Sequence, residues 1–295
     1  MNTNAKIGFI GLGAMGEPMV GSLRRGGFTV ATAAHKDRIP LERLLASGVV
    51  EAADPAAVSA ASDVVITCVP DSPQVEDALF GERGLAVGAK PGTIFIDMST
   101  ISPIASRAFA KRLSERGHRF VDAPVSGGPA RAKDGTLAIM AGASAHDFAE
   151  VEPILRAMGT PTHVGDVGMG ETVKLVNQMM IASIMIANCE ALIFAKKAGV
   201  DLEVVRKVIG TATGSNYLLE NWLPKTWFAG SFDGGFAMDL LRKDLNAALE
   251  AAREMKLALP VSAVAYQLYT AQSAEGDGGR DYSAVAKFYE RIAGT

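Results

Sequence analysis

Ile7-Gly8-Phe9-Ile10-Gly11-Leu12-Gly13-Ala14-Met15-Gly16 decides the fold, because a short apolar run leads directly into a GxGxxG turn with a helix expected to begin near Met15. In that context the glycines divide the work. Gly11 allows the tight turn, Gly13 lets the backbone approach a pyrophosphate, and Gly16 lets helix and strand pack closely. The free N–H groups and partial positive charge of the helix N-terminus complete an anion site. A bare GxGxxG pattern would carry little; a strand before it and a helix after it make it a dinucleotide-binding turn.

Outward from this turn, Phe28 to Ala31, Val64 to Val69, Thr93 to Ile96 and Leu137 to Ala141 read as further strands alternating with helical stretches. Such alternation predicts a parallel sheet. Asp54-Pro55 and Ser102-Pro103 mark two helix starts, each with a capping side chain before a proline at the first helical position. After Gly165 the pattern changes. A proline-free stretch from Gly170 to about Ala198 keeps helical periodicity and would span roughly 40 Å. Helical stretches around Leu202 to Ile209, Asp239 to Met255 and Val261 to Gln272 follow, and Gly276-Asp277-Gly278-Gly279 predicts a flexible loop before a last short helix. The chain therefore reads as an α/β Rossmann-type N-terminal domain over residues 1–165, followed by an all-α C-terminal domain over residues 166–295, with a long inter-domain helix as its spine.

Bulk properties agree. A length of 295 residues suits two domains. With 48% hydrophobic and 21% charged residues the chain falls in the globular range. A net charge of −3, without basic stretches or finger spacing, argues against nucleic acid as a partner. Cys68 and Cys189 lie in apolar runs and read as buried reduced thiols, which with an N-terminus lacking a signal-peptide pattern implies a cytoplasmic protein. The run from Leu175 to Ala195 has the apolar length of a membrane span, but Asn177, Gln178, Asn188 and Glu190 would be costly in hydrocarbon, so a buried helix and no membrane partner are expected.

Cofactor choice turns on the end of the second strand, where NAD-selecting folds carry an acidic residue about 20 residues after the turn. Here the segment is Ala31-Thr32-Ala33-Ala34-His35-Lys36-Asp37-Arg38. A neutral strand end followed by His35, Lys36 and Arg38 suits a 2′-phosphate, so NADP is favoured over NAD. Two other readings stay open at this stage: a shifted strand end that brings Asp37 into the acidic position, and a solvated basic loop.

Three further stretches carry chemistry. Asp97-Met98-Ser99-Thr100-Ile101-Ser102-Pro103 and Asp122-Ala123-Pro124-Val125-Ser126-Gly127-Gly128 are strand-to-turn junctions, where open α/β folds bind ligands. Ser126, Gly127 and Gly128 offer a hydroxyl and unshielded N–H groups suited to a carboxylate. Gly170-Glu171-Thr172-Val173-Lys174-Leu175-Val176-Asn177 opens the long helix, with Gly170, Lys174 and Asn177 on one face. On that reading the missing side chain at Gly170 leaves room beside the lysine.

Together these motifs resemble the β-hydroxyacid dehydrogenase family over essentially the whole chain. Arg242-Lys243-Asp244-Leu245 is similar to the family's late KDL element, and the tail from Asp281 to Glu290 is most similar to its tartronate semialdehyde reductase branch. The resemblance implies hydride transfer between NAD(P)H and a small carboxylate-bearing semialdehyde or its β-hydroxyacid, in a homodimer or homotetramer built through the C-terminal domain. It implies Lys174 as catalytic residue with Asn177 as its companion, and Ser126, Gly127, Gly128 and Lys243 at the substrate. Gly11, Leu12, Gly13, Ala14, Met15, Gly16, His35, Lys36, Val69, Pro70, Thr100 and Lys243 would meet the cofactor. No metal is implied.

Competing enzyme classes fit less well. None of Tyr217, Tyr266, Tyr269, Tyr282 or Tyr289 has a lysine four residues on, as short-chain dehydrogenases require. His35, His118, His146 and His163 are scattered, without the spacing of a zinc site. Imine reductases share the architecture but are expected to place another residue at position 174. A dinucleotide-binding protein without catalysis would be expected to have lost Lys174 or the Ser126 turn.

Overall fold

The computed structural model describes residues 5–34 and 37–294. They separate into two compact units, Met1–Lys174 and Leu175–Thr295, with the division falling inside the long helix.

In the first unit the strands are β1 (Lys6–Ile10), β2 (Thr29–Thr32), β3 (Val50–Glu51), β4 (Val64–Thr67), β5 (Ile94–Asp97), β6 (Arg119–Asp122), β7 (Val125–Ser126), β8 (Leu137–Gly142) and β9 (Gly159–Gly165). The helices between them are α1 (Gly16–Arg25), α2 (Ile39–Leu45), α3 (Pro55–Ala60), α4 (Ser72–Phe80), α5 (Leu85–Gly88), α6 (Pro103–Ser114), α7 (Gly128–Asp134) and α8 (Ala145–Arg156), and α9 (Met169–Lys197) leads out. Among the described residues the strands form one sheet in which β3-β2-β1-β4-β5-β6 run parallel, in the doubly wound order. β6 and β7 then pair antiparallel with β8, and β9 adds parallel to β8.

Both faces of the sheet are covered, which is why β4 and β5 are apolar at nearly every position. Alternate side chains serve opposite layers. Ile94 and Ile96 join Ile7, Phe9, Met19 and Leu155, while Phe95 joins Val65, Leu79, Phe109 and Leu113. Asp54 caps α3 by accepting from Ala57 N, and Ser102 caps α6 by accepting from Ile104 N, as their Asp-Pro and Ser-Pro signals predict. β9, like the two-residue strands β3 and β7, is not revealed by periodicity. Its sequence, Gly-Thr-Pro-Thr-His-Val-Gly, is mostly polar, and Pro161 is tolerated because β9 pairs on one side only.

The second unit is helical: the remainder of α9, then α10 (Leu202–Ile209), α11 (Met238–Glu254), α12 (Pro260–Gln272) and α13 (Ala286–Ala293). Met185, Cys189, Leu192, Leu241, Leu245 and Tyr269 form the centre of its core. α9 is long and apolar enough to cross a membrane by length and composition. Two of its polar side chains are nonetheless paired within the protein: Asn188 exchanges two hydrogen bonds of 3.0 Å with Asn216, and Glu190 accepts from the Tyr289 hydroxyl at 3.2 Å. The predicted flexible loop at Gly276 to Gly279 is instead pinned. Asp277 is buried there, accepting from Gln272 Nε2 at 2.7 Å and pairing with Lys287 and Arg280. Those partners come from outside the glycine cluster, so local composition does not disclose them.

Candidate active site

At the switch point between β1 and β4, the three glycines of the turn differ in what confines them. Gly11 has φ +106°, and a Cβ there would fall on the Cys68 carbonyl oxygen. A Cβ at Gly16 would fall on the Gly11 carbonyl oxygen, with Phe9 Cε1 3.0 Å away. Gly13 meets nothing within 4 Å. The fold thus requires the first and third glycines, whereas the second faces open space, as a cradle for an approaching pyrophosphate must. Leu12 and Met15 lean on the core beneath, and Ala14 is exposed. Val69 lies against Gly11, half-buried, and Pro70 beside it is exposed.

Beyond β2 the chain passes through Ala33 and Ala34; His35 and Lys36 lie outside the described residues. Asp37 does not reach the strand end, because β2 stops at Thr32 and the Asp37 carboxylate accepts from Ile39 N at 2.9 Å at the start of α2. Arg38 forms a two-pronged pair with Glu51 of β3, at 2.9 and 3.2 Å, and its hydrogen bonds hold the Glu51 carboxyl below its ordinary value.

The carboxyl edge of the sheet carries a polar row. Thr67, Asp97 and Asp122 stand opposite one another on β4, β5 and β6. Asp97 is fully buried and its Oδ1 accepts from Thr67 Oγ1 (2.8 Å), Ser99 Oγ (2.6 Å) and Ser99 N (3.2 Å). Ser99 Oγ accepts in turn from Val69 N at 3.0 Å, so this cluster fixes the loop that bears half-buried Thr100 against the loop that bears Val69 and Pro70. Burial pushes the neighbouring Cys68 thiol up to about 12, with the Asp97 charge adding. Both cysteines are free thiols; Cys189 is buried, and Cys68 as a residue is half-buried.

Asp122 is also fully buried, and its two oxygens accept from Gly168 N (2.6 Å) and Glu171 N (2.9 Å) at the start of α9. Gly170 corrects the expectation from sequence. Its missing side chain makes room for the Met140 carbonyl and the Asp122 carboxylate, a Cβ there standing 2.8 Å from Asp122 Oδ2. Close packing of helix on strand, rather than space beside the lysine, is what position 170 requires. Lys174, one turn further on, is only 7% exposed, which is not the environment of a solvated surface charge. Ser126 is paired to β8, the strand that also supplies the Met140 carbonyl. Gly127 has φ +140° with the Arg131 and Leu137 side chains against it, and Gly128 has φ +70° with nothing within 4 Å. Of this turn, Gly127 is the more exposed residue, and Gly128 the one with open space where a side chain would stand.

In the second unit Asn177 and Lys243 are joined through Gln178 and Asp244, to which the sequence assigned no role in the site. Asn177 Nδ2 donates to Gln178 Oε1 at 2.8 Å, Gln178 Nε2 donates to Asp244 Oδ2 at 2.6 Å, and Asp244 Oδ1 pairs with Lys243 Nζ at 2.8 Å. Gln178 and Asp244 are each 2% exposed, so a polar ladder crosses from α9 to α11 inside the core. The available signal was a polar residue on the apolar face of each helix. For Asp97 and Asp122 it was an aspartate closing an otherwise apolar strand. His146, Asp147 and Glu150 do lie close together, but Arg119 forms ion pairs with both carboxylates.

Residues 6–170 match the family model for the NAD binding domain of 6-phosphogluconate dehydrogenase, and residues 168–289 the model for NAD-binding of NADP-dependent 3-hydroxyisobutyrate dehydrogenase. The chain is 41% identical over 295 residues to 2-(hydroxymethyl)glutarate dehydrogenase of Eubacterium barkeri, covering 100% of this chain and 98% of that protein. It is 40% identical over 291 residues to 2-hydroxy-3-oxopropionate reductase of Escherichia coli (strain K12), covering 98% of each. A solved structure of Mycobacterium tuberculosis 3-hydroxyisobutyrate dehydrogenase with L-serine matches with a TM-score of 0.89 at 32% identity, over 97% of this chain and 99% of that one. With a doubly wound unit bearing a glycine-rich turn between β1 and α1, a helical second unit, and relatives of this kind along its full length, the chain belongs to the β-hydroxyacid dehydrogenase family and is a nicotinamide-dinucleotide oxidoreductase.

Proposed function

We propose that the protein reduces a small carboxylate-bearing semialdehyde to its β-hydroxyacid, tartronate semialdehyde foremost, using NADPH in preference to NADH. The observation that carries this reading is Lys174, a buried lysine in the first turns of a helix held to the carboxyl edge of the sheet. A nicotinamide dinucleotide, when bound, would supply the hydride for the carbonyl carbon. As charge develops on the carbonyl oxygen, the Lys174 ammonium stabilises it and gives up a proton; in the oxidative direction the same amine takes the proton back. Ser126, Gly127 and Gly128 hold the substrate carboxylate. Asn177 and Lys243, tied together through Gln178 and Asp244, supply further hydrogen bonds and positive charge. Gly11 through Gly16, Val69, Pro70 and Thr100 serve the dinucleotide, joined by His35 and Lys36 for the 2′-phosphate.

Support for NADPH is the neutral strand end, with the Asp37 carboxylate occupied at the start of α2. Substrate choice has weaker support from the tail. Asp281 is fully buried and accepts from Trp222 Nε1, Phe236 N and Ser283 N, so the tail that resembles the tartronate semialdehyde reductase branch is packing. Relatives at 41% and 40% identity carry different substrate names, and 2-(hydroxymethyl)glutarate therefore belongs in the same test. Glyoxylate, succinic semialdehyde and 3-hydroxyisobutyrate stand as the remaining alternatives.

The deciding assay measures kcat/KM on this panel with each cofactor, in the parent and in Lys174→Ala. The variant should lose about 10²–10⁴-fold in kcat with dinucleotide affinity little changed. Retained turnover would remove Lys174 from the chemistry, and equal rates across the panel would remove the substrate choice. We also propose a cytoplasmic homodimer or homotetramer assembled through the helical unit, whose exposed Phe194, Val261 and Val264 support it; light scattering that reports a monomer would contradict this.

A further inference from the structure

Asp122 is fully buried at the end of β6, yet it is neither part of the dinucleotide turn nor the proton donor. Both of its carboxylate oxygens are given to backbone: Oδ1 accepts from Gly168 N just before α9, and Oδ2 from Glu171 N within its first turn. One side chain therefore spans the entry to the helix, where N–H groups have no partners within the helix itself. The fit is closed from both sides. A Cβ at Gly142 of β8 would stand 2.5 Å from Asp122 Oδ1, and one at Gly170 of α9 2.8 Å from Oδ2. Lys174 follows Glu171 by three residues, less than one helical turn.

We propose that Asp122 is a positioning residue for the reaction: its carboxylate seats the start of α9 on the sheet edge and so fixes where the Lys174 ammonium stands. This rests on the reading of Lys174 as proton donor. The ionised carboxylate accepts both N–H groups, whereas the protonated acid turns one oxygen into a donor facing an N–H and loosens the seat. Asp97, its partner on β5, is the charged group that acts on it; Glu171 and Lys174 follow along α9, Arg107 of α6 lies against Gly168, and β8 carries no charged residue. Burial raises the Asp122 carboxyl to about 6 against the pull of its N–H partners, and Asp97 adds to the rise. Loosening then falls in an accessible pH range.

The test uses the full-length protein in the reductive direction, with Lys174→Ala as benchmark beside Asp122→Asn and Gly170→Ala. Parent kcat should fall below a pH of about 6. Asp122→Asn should lower the kcat plateau about 10- to 100-fold, the scale of a displacement near 1 Å, with dinucleotide Kd within about twofold of parent and without the acid limb. Gly170→Ala, which pushes helix and strand apart while leaving the carboxylate, should lower kcat similarly and keep the limb. With Lys174→Ala inactive, the proposal is overturned if kcat of either variant stays within about twofold of parent, or if Asp122→Asn keeps the acid limb. Should Asp122→Asn fail to fold, kcat of Gly170→Ala decides alone. An active Lys174→Ala overturns the donor and this inference with it.

Discussion

Replacing Gly13 with alanine should separate cofactor binding from folding, because its surroundings differ from those of the two glycines beside it. An ideal Cβ at Gly13 meets nothing within 4 Å, and its φ lies outside the left-handed region. The substitution therefore introduces no clash, and by restricting the unfolded chain it should leave stability unchanged or higher by about 0.4–1 kcal/mol. The added methyl projects into the space where a pyrophosphate oxygen must come within about 2.9 Å of a backbone N–H. Losing one such charge-assisted hydrogen bond costs about 1.5–3 kcal/mol, or about 10- to 100-fold in Kd. Gly11→Ala and Gly16→Ala serve as contrasts. The first forces an L-residue to φ +106° and onto the Cys68 carbonyl, and the second onto the Gly11 carbonyl, so both should unfold more readily by at least about 1–3 kcal/mol. Titrating each variant with NADPH by fluorescence, alongside thermal melts, reads both quantities. A Gly13→Ala protein that binds NADPH within about twofold of parent would refute the assignment of the turn to pyrophosphate, and one destabilised as much as Gly11→Ala would refute the geometry.

Arg38→Ala should reduce kcat/KM for NADPH about tenfold and leave NADH nearly unaffected, while Glu51→Gln, which releases Arg38 from its pair, should shift preference further toward NADPH. If both variants keep the parent ratio, Arg38 has no part in cofactor choice. Gln178→Leu removes a donor to the Asp244 carboxylate, 2% exposed, and should cost about 1–3 kcal/mol in urea unfolding; an unchanged midpoint would show that the ladder has another donor. Stability should also carry a signature of Asp122. Its folded value, about 6, lies above the ordinary 3.8, so its contribution is fully present below 3.8 and lost as pH rises through 6, a change of about 3 kcal/mol. The difference in unfolding free energy between parent and Asp122→Asn, followed from pH 4 to 7, should fall by that amount as pH rises. A flat difference would place the Asp122 titration at its ordinary value.

By itself the sequence determined the local elements and their class. Apolar runs, proline-marked caps and the glycine turn depend on neighbours a few residues away, and β1, α3, α6 and α9 accordingly stand where their residues predict. β9 escaped because a one-sided edge strand needs no apolar alternation. The family, too, was legible, since its motifs are contiguous. What each residue touches was decided only by tertiary structure. Gly170 is small because Met140 and Asp122, about 30 and 50 residues earlier in the chain, crowd it. Asp97 and Asp122 became neighbours when β5 and β6 paired in register. Lys174, by sequence an ordinary charge near a helix start, is buried because the fold docks that helix start on the sheet edge. The common reason is that burial and close approach are set by partners distant along the chain, which no window of sequence contains.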